Sequence, residues 1–137
     1  MEYTLCIIKP DAISKGFTGK IIDECLKAGF TIHGIRKVGL TRDQARSFYK
    51  VHEHKPFFEP LIAFMTSGPS VALVLKKENA IEDFRALMGE TDARKAQKGT
   101  LRQKYGEDNR KNAVHGSDSP ENAKKEIAFF FANIDLI

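Results

Sequence analysis

Apolar positions along the chain fall into short blocks whose spacing alternates between the two-residue period of strands and the 3.6-residue period of helices. Leu5, Cys6, Ile7 and Ile8 are contiguous, which predicts a buried strand over Tyr3–Lys9, ended by Pro10 because proline cannot donate to a ladder. Ile13–Thr18 reads as a loop. Ile21, Ile22, Cys25 and Leu26 share one helical face, so Gly19–Ala28 reads as a helix with Thr18 as candidate N-cap and Gly29 as stop signal. Phe30, Ile32, Val38 and Leu40 alternate loosely and predict a second strand over Phe30–Leu40.

Thr41-Arg42-Asp43-Gln44 has the form of a capping box and opens a helix through about Tyr49. Lys55-Pro56 begins a further short helix carrying Phe57, Phe58, Leu61, Ile62, Phe64 and Met65, ended by Gly68. Val71–Leu75 reads as a third strand. Asn79–Met88 reads as a helix with Ile81, Phe84, Leu87 and Met88 inward, closed by Gly89. Residues 89–112 form a long polar connection with one helical turn near Leu101–Tyr105; connections of that length usually carry function or lack order. Ala113–His115 is a short fourth strand. Ser119 caps a last helix with Pro120 at its first position and with Ile127, Phe130 and Phe131 packing.

The order is therefore β-α-β, an inserted helical pair, then β-α-loop-β-α. Two βαβ halves in a chain of 137 residues predict an α+β fold of the ferredoxin-like βαββαβ kind. The expectation is a four-stranded antiparallel sheet with helices on one face and the inserted pair, all in one domain over residues 1–137. No internal repeat, linker or low-complexity segment interrupts it.

Composition narrows the class. Hydrophobic residues make up 42% and charged residues 29%, a globular balance. A chain of this length buries roughly two-thirds of its unfolded surface and needs no staples. No apolar run approaches the roughly 20 residues of a membrane span, and the first residues lack the basic start and apolar stretch of a secretory signal. The expectation is a cytoplasmic protein without membrane attachment. Cys6 and Cys25 stand singly in apolar patterns, which excludes a disulfide framework and a cysteine zinc site. Net charge is +4, and its location matters more than its size. Arg94, Lys95, Lys98, Arg102, Lys104, Arg110 and Lys111 face only Glu107 and Asp108 within one stretch, while the remainder of the chain is close to neutral. Such a stretch suits a polyanion, and it also suits a solvated loop.

The standard phosphate loops GxxxxGK[ST] and GxGxxG are absent. A nucleotide would have to be held by side chains: Lys9 at a strand end, and Arg85 and Arg102 flanking the long loop. Each alone also reads as an ordinary surface charge. Of four histidines, His33 lies in a strand, and His52 and His54 lie in a polar segment. His115 ends a short strand and precedes Gly116-Ser117-Asp118-Ser119-Pro120. Gly116 reads as a point of close ligand approach and Ser117 as a nearby hydroxyl. A neutral imidazole is a good nucleophile near neutral pH, and no metal-ligand spacing surrounds this one. A structural role for His115 fits the spacing as well.

Asn112-Ala113-Val114-His115-Gly116-Ser117-Asp118-Ser119 resembles the active-site signature of the nucleoside diphosphate kinase family. Thr4–Asp11 is similar to that family's first strand with its lysine. Tyr49 and Lys55–Phe58, Ser67-Gly68-Pro69, Met88–Thr91 and Gly99–Arg102 match in order along nearly the whole chain. The resemblance implies transfer of the γ-phosphate of a nucleoside triphosphate, mainly ATP, to a nucleoside diphosphate, a reaction that maintains triphosphate pools. It implies a ping-pong cycle through a phosphohistidine on His115. It further implies that Lys9, Arg85, Arg102 and Thr91 hold the phosphates, that Tyr49 and Ser117 orient the site, and that Glu126 fixes the ring. Asn112 would meet the sugar, and Phe57 and Leu61 would sandwich the base, which tolerates any base. Mg²⁺ would be held by nucleotide phosphates, with no direct protein ligands. Homotetramers or homohexamers are implied.

Asp92–Lys98 lacks the prolines usual in the family's loop and is more basic, and Gln103-Lys104-Tyr105 replaces a commoner acidic-aromatic ending; these changes leave nucleic acid as a secondary partner. The chain stops soon after the last helix, as in short bacterial members. The competing class is a basic nucleic-acid-binding module, since RNA-recognition domains share the topology. Lys15-Gly16-Phe17 starts like their motif, but Thr18-Gly19-Lys20 breaks it and it falls at the start of a helix. An inactive relative would have lost the nucleophile or the phosphate-binding residues, which are all present.

Overall fold

The computed structural model describes all residues, Met1–Ile137. Strands are β1 (Glu2–Ile8), β2 (Thr31–Val38), β3 (Ser70–Lys77) and β4 (Val114–Gly116). Helices are α1 (Pro10–Ser14), α2 (Thr18–Lys27), α3 (Arg42–Phe48), α4 (Phe58–Met65), α5 (Ala80–Met88), α6 (Leu101–Tyr105) and α7 (Pro120–Phe130). The sheet order is β2-β3-β1-β4 and every neighbouring pair is antiparallel, as the βαββαβ reading requires.

The contiguous apolar run in β1 follows from its central place. Successive side chains point to opposite faces, so a strand covered on both sides needs apolar residues at every position. Cys6 and Ile8 enter one core with Val71, Leu73 and Leu75 of β3, and with Ile21 and Cys25 of α2 and Phe84 and Met88 of α5. Leu5 and Ile7 enter the other with Ala72 and Val74, and with Ala45 of α3, Ile62 and Met65 of α4 and Phe130 of α7. The crossover helices α2 and α5 thus lie on one face as expected. The expectation of helices on one face does not extend to α7 and the inserted pair α3–α4, which cover the second face.

Other boundaries shift for local reasons. The segment read as a loop after Pro10 contains α1: proline's fixed φ suits a first helical position, and Ala12 is buried. Five residues are too few for a period to show. Thr18 is the first residue of α2 and not its cap; Phe17 holds that position without a side-chain bond. Leu26 is half exposed, so the packed face is Ile21 and Cys25 with Ile22 alongside. A 3₁₀ turn at Lys50–His52 follows α3, and α4 begins at Phe58 rather than Lys55. Both strands flanking the insertion deviate: β2 carries a bulge between Ile32 and Gly34, and β3 extends to Lys77. The capping box forms as read, with Gln44 N–H donating to Thr41 Oγ1 at 3.1 Å and Thr41 N–H to Gln44 Oε1 at 2.9 Å.

Gly116 serves packing rather than ligand approach. A Cβ there would lie 2.7 Å from the Phe84 ring and 2.6 Å from Met88 Cε, so α5 sits against the bare backbone of β4. Gly116→Ala is therefore expected to overpack this contact and destabilise the fold by about 1–3 kcal/mol. A chemical-denaturation midpoint equal to that of the wild type would show the contact to be slack.

Candidate active site

His115 stands opposite Ile7 in the β4–β1 ladder, on the sheet face covered by α3 and α7. Its Nε2 lies 3.0 Å from Glu126 Oε1 on α7. Ser117 Oγ donates to the same Oε1 at 2.7 Å and accepts Leu5 N–H at 3.1 Å, so the buried Ser117 ties the carboxylate to β1. An ionised carboxylate only accepts, which puts the imidazole hydrogen on Nε2 and leaves the Nδ1 lone pair free. The Phe48 ring meets the imidazole edge-on at 5.8 Å. The His115 side chain keeps 21% exposure, enough for a ligand to reach it.

Tyr49, next to Phe48, is buried and its hydroxyl has no protein partner. Burial, reinforced by the Glu126 charge, holds its pKa well above the usual value, so the hydroxyl remains a neutral donor.

A group of cations forms beside this arrangement. Lys9 closes β1, is buried, and donates through Nζ to Asn112 Oδ1 at 2.8 Å. Asn112 Nδ2 donates to the Thr91 carbonyl at 2.9 Å, which ties the long loop to the start of β4. Arg102 on α6 donates to the carbonyls of Gly89 at 3.1 Å and Val114 at 3.0 Å, and its buried Nε has no partner. Burial and then repulsion from Arg102 lower the Lys9 pKa to about 8. Burial and then repulsion from Arg85 lower that of Arg102 to about 10. Arg85 and Thr91 lie at the exposed edge of the group. Three cations held this close lower one another's charge stability, and a bound anion would relieve the strain.

The structure thus gathers His115, Ser117, Glu126 and Tyr49 into one set, and Lys9, Asn112, Thr91, Arg102 and Arg85 into a second that the β1–β4 ladder joins to it. Phe57 and Leu61 stand one turn apart at the start of α4, which packs on α3. Phe57 is half exposed with its ring 5.4 Å from His52, while Leu61 is buried. No hydrogen bond or ring contact links either residue to the other two sets.

Two residues escaped the sequence reading. Phe48 was unremarkable as one aromatic residue in a short helix. Asp11 lies inside the quoted Thr4–Asp11 motif, but nothing local reveals that its carboxylate is buried and accepts the Ala113 amide at 3.1 Å. The basic stretch is also less free than its composition implies: Asp92 pairs with Arg94 at 2.9 Å and Glu24 with Lys104 at 2.7 Å.

The description "Nucleoside diphosphate kinase" belongs to the family model that matches residues 2–136. Similar proteins include the nucleoside diphosphate kinases of a Geobacter species, 50% identical, and a Nitratiruptor species, 51% identical, each over 137 residues covering the whole of both chains. A solved nucleoside diphosphate kinase from Aquifex aeolicus has a TM-score of 0.97 at 45% identity over 99% of each chain. One from Halobacterium salinarum, in complex with CDP, has a TM-score of 0.95 at 38% identity, covering 99% of this chain and 91% of that one.

The charge group makes a direct prediction. Lysine-selective carbon NMR is expected to place the Lys9 titration midpoint near 8, and Arg102→Gln to raise it by removing the nearest repulsion. Because the folded pKa lies below the unfolded one, the folded protein sheds this proton first. The Lys9 contribution to stability therefore grows as pH rises from about 8 towards the ordinary lysine value of 10.5. A midpoint above 10 in the wild type would contradict the burial and repulsion described.

Proposed function

The chain belongs to the nucleoside diphosphate kinase family and transfers phosphate between nucleotides, and on that premise we propose how its own residues carry the reaction. The observation that carries the reading is the engagement of His115 Nε2 by Glu126, which leaves Nδ1 as the free nucleophile.

Nδ1 attacks the γ-phosphorus of a bound triphosphate in line with the leaving oxygen. The N–P bond forms as the bond to the β-phosphate oxygen breaks, and the diphosphate departs. In the second half, a terminal oxygen of the acceptor diphosphate attacks the same phosphorus and the N–P bond breaks. No proton has to leave the ring in either half. Phosphorylated at Nδ1 with its hydrogen still on Nε2, the ring is cationic, and the Glu126 carboxylate stabilises that charge. Ser117 holds the carboxylate in place.

Charge stabilisation and alignment are the remaining demands of phosphoryl transfer. Lys9, Arg85 and Arg102 supply the positive charge, and the repulsion among them makes an incoming triphosphate doubly favourable. The Thr91 hydroxyl adds a donor, and the unpartnered Tyr49 hydroxyl donates to the transferring group or its ligands. Asn112 Oδ1 has one lone pair engaged by Lys9 and a second for a sugar hydroxyl. Phe57 offers an exposed ring face to the base, with Leu61 behind it; an apolar platform reads no donor pattern and accepts any base.

No three His, Cys, Asp or Glu residues converge to hold a metal, and the neighbouring set of Lys9, Arg85 and Arg102 is cationic. These residues fit a nucleotide that enters as its Mg²⁺ complex; the ion would supply further positive charge to the phosphates, beside Lys9, Arg85 and Arg102. We further propose that the 1–137 domain assembles as a homotetramer or homohexamer and works in the cytoplasm; no helix is long and apolar enough to cross a membrane.

Incubation with Mg²⁺ and γ-labelled ATP, without acceptor, is expected to leave acid-labile, alkali-stable label on the protein. Added GDP should remove it. His115→Ala should fold normally and lower exchange by at least ~1,000-fold. A pure His115→Ala protein that takes up label and passes it on would overturn the reading.

A further inference from the structure

Asp11 has no part in the mechanism above, yet it is buried at the first turn of α1, 102 positions from its hydrogen-bond partner. That partner, Ala113, is the one residue other than glycine with a positive φ, at 72°. A side-chain-bearing residue leaves this region unless something holds it there. Both polar groups of Ala113 are held: its N–H donates to Asp11 Oδ2 at 3.1 Å, and its carbonyl accepts Lys9 N–H at 2.8 Å. Its neighbours are the residues that matter. Asn112 before it receives the Lys9 ammonium, Val114 after it receives Arg102, and His115 follows. The left-handed turn at Ala113 therefore sets the angle at which β4 leaves the long loop, and with it the relation between phosphate-binding cations and nucleophile.

We propose that Asp11 is a positioning residue for phosphoryl transfer: its carboxylate latches the Ala113 amide and so keeps the left-handed turn that aligns Asn112 and His115 with the bound nucleotide. The inference rests on His115 being the nucleophile. A carboxylate is a costly group to bury; burial raises its pKa against the opposing pull of the Ala113 amide and the Lys9 ammonium. It is also a strong acceptor for an amide, and that bond helps to hold the turn.

The test measures the rate of label transfer from γ-labelled ATP to the protein by rapid quench, with thermal melting in parallel. Asp11→Ala is expected to slow phosphorylation by ~10–100-fold, as small misplacements of reacting groups do. Glycine occupies positive φ without strain, so adding Ala113→Gly to Asp11→Ala should restore most of the lost rate. A residue that only stabilises the fold would show no such rescue. Asp11→Ala at the wild-type rate, or a folded double variant as slow as the single one, overturns the latch. Where neither alanine variant folds, Asp11→Asn decides, because asparagine keeps an acceptor for the Ala113 amide while losing the charge. A rate close to wild type supports the latch. A large loss that Ala113→Gly does not lessen assigns Asp11 to the charge of Lys9 and overturns it. Absence of label on the wild-type protein would instead strike at His115 as nucleophile.

Discussion

Three residue pairs join β4 to β1, and the candidate active site hangs on that short ladder. The ladder places His115 opposite Ile7 and draws the loop before β4 against the end of β1, where Lys9 sits. From there the contacts follow in order. Ser117 reaches the β1 backbone and Glu126, Glu126 reaches the imidazole, and Lys9 reaches Asn112. None of these residues is close to its partner in sequence, apart from those within the last strand and helix. The site is therefore a product of tertiary packing, and the covering of both sheet faces is what makes a three-residue strand rigid enough to carry it.

Electrostatics at the site run in two directions. Around the imidazole, one carboxylate faces one ring nitrogen and fixes where the hydrogen sits. Around Lys9 and Arg102, cations face cations in a buried setting, and both lose affinity for their protons. An arrangement that is unfavourable in the free protein would become favourable on binding phosphates, and part of the binding energy would then be stored as repulsion. The same cations are held by backbone carbonyls and an amide, so they are oriented before any ligand binds.

Most of the fold was legible from local patterns. The contiguous Leu5–Ile8 run declared a buried strand, Thr41–Gln44 declared a helix start, and Leu101–Tyr105 was found as a single turn inside a long polar segment. Misreadings clustered where structure depends on distant packing. The five-residue α1 has no period to detect. Gly116 looked like a ligand contact because the residues of α5 that press on it lie far away in sequence. The apolar run of β1 carries the mark of cover on both faces, but it does not say which helix lies on which side. Candidate residues around His115 were readable chiefly through motif resemblance; their spacing alone left a structural role open. Asp11 and the left-handed Ala113 were out of reach, since neither a buried carboxylate nor a positive φ at alanine leaves a mark in composition or period.

The assignment of ring nitrogens is the point on which the account turns. Protein labelled with ¹⁵N at histidine, phosphorylated by Mg²⁺ and ATP, and observed by long-range ¹H–¹⁵N NMR, reports which nitrogen of His115 carries phosphorus. The expected result is phosphorus on Nδ1 with the hydrogen retained on Nε2 against Glu126. Phosphorus on Nε2 would mean that the Glu126 contact breaks before transfer, and it would contradict the account.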